Sequence, residues 1–111
     1  MQHVTILIYP QALASSIGLA TEMLNAAGEL QRSLARHTAP LQITTAQLTR
    51  ENATLCGGLT INARRLIAKI KQTDLVILPA LWRNPQTVLK QQAQLLPWLQ
   101  HMADNGVRLA A

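Results

Sequence analysis

The stretch HVTILIY at residues 3–9 decides the fold, because a continuous run of β-branched and large apolar residues is typical of a strand buried on both faces. Pro10 closes the run. A second strand is predicted over residues 41–48, LQITTAQL, and a helical pattern lies between the two. Strand, helix and strand in this order form a right-handed crossover unit. These residues therefore predict an α/β fold with a mostly parallel sheet.

The helical pattern is predicted to begin at Ser15 or Ser16, since both side chains suit an N-cap. It continues to about Arg36, and a linker over residues 37–40 leads to the second strand. The apolar residues at helical spacing are Ala20, Met23, Leu24, Ala27, Leu30 and Leu34. The pattern predicts one long amphipathic helix.

The middle of the chain predicts a hairpin and a short helix. Gly57-Gly58 separates residues 54–56 from residues 59–61, which is the spacing of a tight hairpin or an edge excursion. Asn62 is predicted to cap a helix over residues 63–71. The apolar side chains expected to pack inward from this helix are Leu66, Ile67 and Ile70.

The last third of the chain predicts a strand, a helical region and a further strand. Residues 74–79, DLVILP, form a buried strand that completes another crossover. Asn84-Pro85 places a cap before a proline and opens a helical region over residues 86–104, interrupted near Pro97. Asn105-Gly106 is then a helix C-cap.

Residues 107–111, VRLAA, have strand character, and we expect them to form a buried strand. No helix follows to cover it, so the domain over residues 1–111 is expected to be single, partial and truncated after this strand. In an open α/β sheet, the loop that leaves the carboxyl end of a strand usually carries the functional groups.

Composition limits the class of protein. A chain of 111 residues suffices for one domain, and 49% hydrophobic against 14% charged residues favours an ordered interior. The apolar runs are far shorter than the roughly 20 residues that cross a bilayer, and the N-terminus lacks the features of a signal peptide. We therefore expect a cytoplasmic protein that does not bind a membrane.

The formal charge of +5 is spread along the chain. Only Arg64, Arg65, Lys69 and Lys71 come close together. On a helix these side chains form a solvated face, and this interpretation is favoured over a nucleic-acid contact because no aromatic residues are interleaved with them.

The sequence contains no phosphate-binding glycine motif and no metal-ligand spacing, so no cofactor and no metal are predicted. Cys56, the single cysteine, is interpreted as a small buried structural residue rather than a reactive thiol, since no strong base is near it in sequence. His3, His37 and His101 are isolated and are expected at the surface or at strand ends rather than as ligands.

Two further residues are candidates for a ligand site. Glu22 could point its carboxylate at the cleft beside the strand ends, or remain an exposed helix residue. Trp82 follows the strand at residues 74–79, where its indole offers a flat apolar wall to a ligand or simply packs against the protein.

Four segments of the sequence carry a resemblance to a known family. They are VTILIYPQALASSIGLATEMLNAAG, TLCGGLTIN, DLVILPALW and NGVRLAA. Together they resemble the PfpI-like, class I glutamine-amidotransferase-like superfamily, and within it the N-terminal domain of GlxA-type AraC-family transcriptional regulators. The resemblance implies a flavodoxin-like three-layer sandwich.

The resemblance also implies where an enzyme of this kind would hold its chemistry. Its nucleophilic cysteine would follow the strand at residues 107–111, so no catalytic residue lies within the chain. The place of the catalytic acid falls on Ser16, whose hydroxyl cannot replace a carboxylate. Glycines that free backbone amides for an oxyanion are replaced by Ala80-Leu81-Trp82.

These departures favour a non-catalytic sensor or dimerisation domain of a transcriptional regulator. We expect an unidentified small-molecule effector in a pocket near Ser16, Glu22 and Trp82, and a homodimer. DNA would bind only through a helix-turn-helix domain that is not present in this chain. Two alternatives stay open: a PfpI-like cysteine hydrolase whose nucleophile lies beyond residue 111, and a subunit-association scaffold.

Overall fold

The structure is a computed structural model that describes residues 2–34, 40–81 and 85–111. Its strands are β1 (His3–Ile8), β2 (Gln42–Gln47), β3 (Ala53–Thr54), β4 (Thr60–Ile61), β5 (Arg65–Leu66), β6 (Leu75–Ile77) and β7 (Arg108–Ala110). Its helices are α1 (Ala14–Leu34), α2 (Pro85–Gln91) and α3 (Leu95–Asp104), with a 3₁₀ turn at Ile67–Lys69. No helix in these ranges is long and apolar enough to span a membrane.

Within the described ranges, five strands form one parallel sheet in the order β5-β2-β1-β6-β7. The chain moves from β1 to β2 in one direction along the sheet and from β6 to β7 in the other. Because crossover connections are right-handed, α1 and the α2–α3 pair cover opposite faces. The predicted α/β fold of the flavodoxin-like type is confirmed.

The centre of the sheet is β1, as the run of apolar residues predicted. Val4, Thr5, Ile6 and Leu7 are completely buried. The hydroxyl of Thr5 donates to Thr73 Oγ1 at 3.0 Å, which satisfies the polar group in this apolar layer. Burial on both faces is what the position between β2 and β6 requires.

The long helix is confirmed, but its predicted cap is wrong. α1 begins at Ala14, and the Leu13 carbonyl accepts hydrogen bonds from the N–H groups of Ser16 and Ile17. Ser16 therefore lies in the first turn of α1 and not at its N-cap. From there its hydroxyl points to the loop that contains Ala80. The predicted helix end at Arg36 and the linker after it fall in residues 35–39, outside the described residues.

The predicted hairpin is confirmed as the antiparallel pair β3 and β4. The Leu55 N–H donates to the Leu59 carbonyl at 2.7 Å, so the loop itself is Cys56-Gly57-Gly58. Both glycines have a positive φ, 88° at Gly57 and 92° at Gly58. This backbone conformation is unfavourable for residues that have a Cβ.

The helix predicted over residues 63–71 is wrong, because these residues form β5 and a 3₁₀ turn. Arg65 and Leu66 pair in parallel with Ala46 and Gln47 of β2, which gives this segment an extended backbone. Side chains of β2 also accept hydrogen bonds from the N–H groups just before β5, Gln47 Oε1 from Ala63 and Thr45 Oγ1 from Arg64. The Asn62 amide does not cap the segment: it donates to the Arg50 carbonyl. Tertiary contacts therefore override the local helical pattern.

The helical region after residue 84 has the predicted organisation. α2 begins at Pro85, while Asn84 lies outside the described residues. The interruption occurs at residues 92–94, and Pro97 lies in the first turn of α3, where no N–H is needed. At the end of α3 the Val107 N–H donates to the Met102 carbonyl at 3.0 Å, which closes the predicted C-cap.

The final strand is confirmed, but its predicted burial is wrong. β7 pairs in parallel with β6, yet Arg108, Leu109 and Ala110 are exposed. The reason is its place in the sheet, since β7 is an edge strand in the part of the chain that the structure describes. Its side chains therefore do not have the two covering layers that bury β1.

Candidate ligand site at the carboxyl edge of the sheet

The carboxyl edge of the sheet brings two loops together. Residues 9–13 leave β1 and residues 78–81 leave β6, at the point where the strand order changes direction. The Leu13 N–H donates to the Ala80 carbonyl at 2.8 Å, and Ala12 and Leu81 form an antiparallel bridge. Such a switch point is where open α/β sheets bind ligands.

Ser16 joins the helix to the second of these loops. Its Oγ accepts a hydrogen bond from the Ala80 N–H at 3.1 Å, and the side chain is half-buried. A backbone N–H at this position could otherwise donate to a ligand oxygen. In this chain the Ser16 hydroxyl takes the place of such a ligand oxygen as the acceptor for the Ala80 N–H.

We expect Ser16→Ala to expose this amide without disturbing the sheet. The Ala80 N–H would lose its acceptor, so its hydrogen exchange should accelerate and the protein should lose about 1 kcal/mol of unfolding free energy. Ser15→Ala is the matched control, since Ser15 is exposed on the same turn of α1. An unchanged rate of hydrogen exchange at the Ala80 amide in Ser16→Ala would contradict the assignment of Ser16 Oγ as its acceptor.

Tyr9 lies beneath the two loops and was missed by the sequence reasoning. Its hydroxyl donates to the Pro79 carbonyl, and both residues are buried. Burial raises the pKa of Tyr9 to about 12, because the phenolate would lose its hydration. Its position in the sequence could have identified it, because a tyrosine at the end of a buried strand needs a hydrogen-bond partner for its hydroxyl.

Raising the pH from about 10 to about 12 is expected to destabilise the protein through Tyr9. The folded state keeps the phenol proton in this window while the unfolded state releases it, so stability present below pH 10 is lost as the pH rises toward 12. Tyr9 is the only tyrosine, so phenolate absorbance reports this group alone. A midpoint near 10 in the folded protein would contradict the prediction.

The hairpin supports the same edge from the side. The Gln11 N–H donates to the Thr54 carbonyl at 2.9 Å and the Cys56 N–H donates to the Ala12 carbonyl at 3.0 Å. Gln11 has a positive φ of 69°, which is unusual for a residue other than glycine and is held by these contacts. Cys56 is half-buried rather than buried as predicted, because the glycine loop at the hairpin tip projects toward solvent.

Of the three predicted pocket residues, the structure describes Ser16 and Glu22, and it does not bring these two together. Ser16 lies at the carboxyl edge, whereas Glu22 is exposed farther along α1 and on another face of that helix. Trp82 falls outside the described residues, as does His37. His3 and His101 lie at the opposite, amino edge of the sheet.

Two grooves of about 850 and 700 Å³ occur at the amino edge, and neither Ser16 nor Glu22 lines them. Across residues 2–34, 40–81 and 85–111, no group of His, Cys, Asp and Glu side chains is arranged to hold a metal ion.

Several solved structures have folds similar to that of this chain. Drosophila melanogaster DJ-1beta superposes with a TM-score of 0.74 at 16% identity, over 97% of this chain and 53% of that one. An AraC family transcriptional regulator from Pseudomonas putida gives 0.71 at 21% identity, over 98% of this chain and 54% of that one. A DJ-1 superfamily protein from Salmonella typhimurium gives 0.68 at 16% identity, with 98% and 54% covered.

These likenesses show that the chain has the fold of DJ-1 and PfpI-like proteins, the fold that the sequence resemblance predicted. Domains of AraC-family regulators share it. The chain spans about half the length of those structures. No protein-family model matches the sequence, and no curated protein sequence matches it.

Proposed function

We propose that this chain is a non-catalytic, ligand-sensing or dimerisation domain of an AraC-family transcriptional regulator. The observation that carries the proposal is the hydrogen bond from the Ala80 N–H to Ser16 Oγ. An enzyme of the resembled superfamily needs a carboxylate where Ser16 lies and free amides where Ala80 lies. Here the neutral Ser16 hydroxyl accepts from the Ala80 amide, which supports a non-catalytic role because that amide is not free to bind an oxyanion.

The effector pocket is proposed at the carboxyl edge, with Ser16 in its wall. The two loops that meet there are tied together by backbone hydrogen bonds, so a ligand that separates or braces them would change their stability. Trp82 is kept as a proposed pocket residue because it directly follows Leu81 in the sequence, whereas Glu22 lies on another face of α1 and is left out of the pocket. The expected effector is a small molecule.

Dimerisation is proposed through α1. Leu19, Met23, Leu30 and Leu34 are each more than half exposed. At about 100° per residue they share one face of a helix of 21 residues. An apolar stripe of this length is a common interaction surface, and a second copy of the same helix can cover it symmetrically.

A fusion experiment tests dimerisation. The chain would be joined to a repressor DNA-binding domain that represses a reporter only when a fused partner dimerises it. We expect repression by the unmodified chain and its loss in the double variant Met23→Glu with Leu30→Glu, since buried carboxylates in the contact are unfavourable. The matched control adds the same charge on other faces of α1, through Asn25→Glu with Gln31→Glu.

Repression that survives Met23→Glu with Leu30→Glu would contradict this part of the proposal. So would equal loss in the control, because the effect would then follow net charge rather than the stripe. Circular dichroism of each variant establishes that α1 remains folded.

DNA binding is assigned to a separate helix-turn-helix domain of the whole protein. The basic residues of this chain are scattered, which supports placing the DNA contact elsewhere. The reading frame after the codon for Ala111 gives the test. A helix-turn-helix domain encoded there supports the regulator, and a stop codon soon after a completed α/β domain contradicts it.

A cysteine hydrolase is the second candidate, and one observation favours it. The Leu78 N–H donates to the Ala110 carbonyl at 2.7 Å, so β7 ends at the same edge as Ser16 and Ala80. A cysteine placed directly after β7 would therefore face this edge. A thiol there with turnover that depends on it would establish the hydrolase in place of the sensor.

A further inference from the structure

The amino edge of the sheet, opposite the site above, contains a groove of about 850 Å³. Its walls are the start of β1, the strand β2, the segment after the 3₁₀ turn and the end of α3. A volume of this size is typical of a small-molecule site. The residues that matter for its chemistry are Arg65, Lys69, Lys71, Asp74, His3, Thr44 and His101.

The groove is strongly basic. Arg65, Lys69 and Lys71 line it, and among its described lining residues Asp74 carries the one carboxylate. Arg64 lines an adjoining groove of about 700 Å³ that shares Arg65 and Lys69. The cations that look like a solvated helix face in the sequence thus border a concave surface, because this segment is a strand and a turn instead of a helix.

The carboxylate of Asp74 forms hydrogen bonds with the main chain. Its Oδ2 accepts hydrogen bonds from the N–H groups of Gln2 at 2.8 Å and His3 at 2.9 Å. These two bonds hold the pKa of Asp74 below its usual range. The carboxylate therefore fixes the start of β1 against β6, and its position is set by backbone donors rather than by the nearby cations.

The imidazole of His3 forms a fixed polar wall. Its Nδ1 lies 3.1 Å from the Gln72 carbonyl and its Nε2 lies 2.9 Å from Thr44 Oγ1. Because a carbonyl only accepts, the hydrogen-bond partners assign the proton to Nδ1. Both ring nitrogens thus have partners within the protein, so the imidazole is oriented without a ligand, and such preorganisation lowers the entropy lost on binding.

We propose that this amino-edge groove binds a small organic phosphate. Guanidinium and ammonium groups are the side chains that best match phosphate oxygens, and three of them around one concavity suit a ligand with two or more negative charges. Among the described lining residues none is Tyr or Trp, so base stacking of single-stranded nucleic acid has no platform there. The site is separate from the proposed effector pocket and does not depend on the regulator assignment.

Isothermal titration calorimetry of the 111-residue chain tests this with inorganic pyrophosphate and adenosine diphosphate as probes, at about 0.15 M salt. We expect both to bind. Arg65→Gln with Lys69→Gln should weaken them by at least about tenfold, since each removed charge loses a charge-assisted hydrogen bond. Lys71→Gln alone should give a smaller loss.

The matched control is Arg32→Gln with Lys90→Gln, which removes the same charge at exposed positions on α1 and α2. It should bind the probes as the unmodified chain does. Equal weakening in both double variants would overturn the proposal, because binding would then follow net charge. Failure of both probes to bind would overturn it as well.

Two competitors distinguish the chemistry of the ligand. Citrate carries comparable charge on carboxylates, and equal affinity for citrate would overturn the phosphate assignment. Binding of pyrophosphate but not adenosine diphosphate would identify the free anion rather than its organic ester as the ligand. A single-stranded oligonucleotide that binds more tightly than either probe, through the same Arg65 and Lys69, would replace the proposal with a nucleic-acid surface.

Discussion

Replacing Ile6 with alanine is expected to lower the free energy of unfolding by about 2–5 kcal/mol. Ile6 is completely buried at the centre of β1, where it pairs with Thr45 of β2 and Ile77 of β6. The shorter side chain loses burial and leaves a cavity that the two flanking strands prevent from collapsing. Because domains of this size are stabilised by only about 5–15 kcal/mol, the variant should approach the limit of folding.

Urea unfolding followed by circular dichroism measures the effect. Ile6→Val is the matched control and should lose only about 0.5–1.5 kcal/mol, since it removes one methylene. The dependence of the free energy on urea should stay the same, as it reflects the surface exposed on unfolding. A loss below about 1 kcal/mol for Ile6→Ala would contradict the central position of β1.

Replacing Gln47 with leucine is expected to be nearly as disruptive, at about 2–4 kcal/mol. The side chain is buried, and its Nε2 donates to the carbonyls of Thr49 and Glu51 while its Oε1 accepts from the Ala63 N–H. Leucine has a similar volume but leaves three backbone groups without these partners. Each backbone group that stays buried and unpaired costs about 1–3 kcal/mol, and those that water reaches cost less.

The matched control is Gln42→Leu, the same substitution at an exposed position of the same strand, which should change stability by no more than about 0.5 kcal/mol. Hydrogen exchange gives a local readout, because the Ala63 amide should exchange much faster in Gln47→Leu. Protection of Ala63 that survives the substitution would contradict the role assigned to Gln47.

Gln47 also connects stability to the candidate site. It anchors both ends of the excursion that contains the hairpin, and the hairpin in turn bonds to the Gln11 and Ala12 backbone. Loosening this anchor should therefore reach the strained Gln11 loop at the carboxyl edge. Both sheet edges are held by the chain's own hydrogen bonds, and among the described residues the open basic groove lies at the amino edge.

The prediction over residues 63–71 shows where sequence reasoning failed and why. Leu66, Ile67 and Ile70 suited a helical period. Ile67 and Ile70 are indeed buried, but they lie in the 3₁₀ turn and directly after it, not in an α-helix. A short apolar run fits a helix or a buried strand equally well from periodicity. The extended conformation comes with the pairing of β5 to Ala46 and Gln47 of β2, and nothing local to residues 63–71 predicts that pairing.

Outside residues 63–71, the sequence by itself determined the order of strands and helices, and it also determined the central position of β1, the hairpin at Gly57-Gly58 and the helix end at Asn105-Gly106. These features follow from apolar periodicity and from backbone preferences, which act over a few neighbouring residues. Only the tertiary structure decided that Ser16 meets the Ala80 amide and that Arg65, Lys71 and His101 share one groove. Such contacts join residues far apart in the chain, so they exist only once the parallel sheet has brought its loops to common edges.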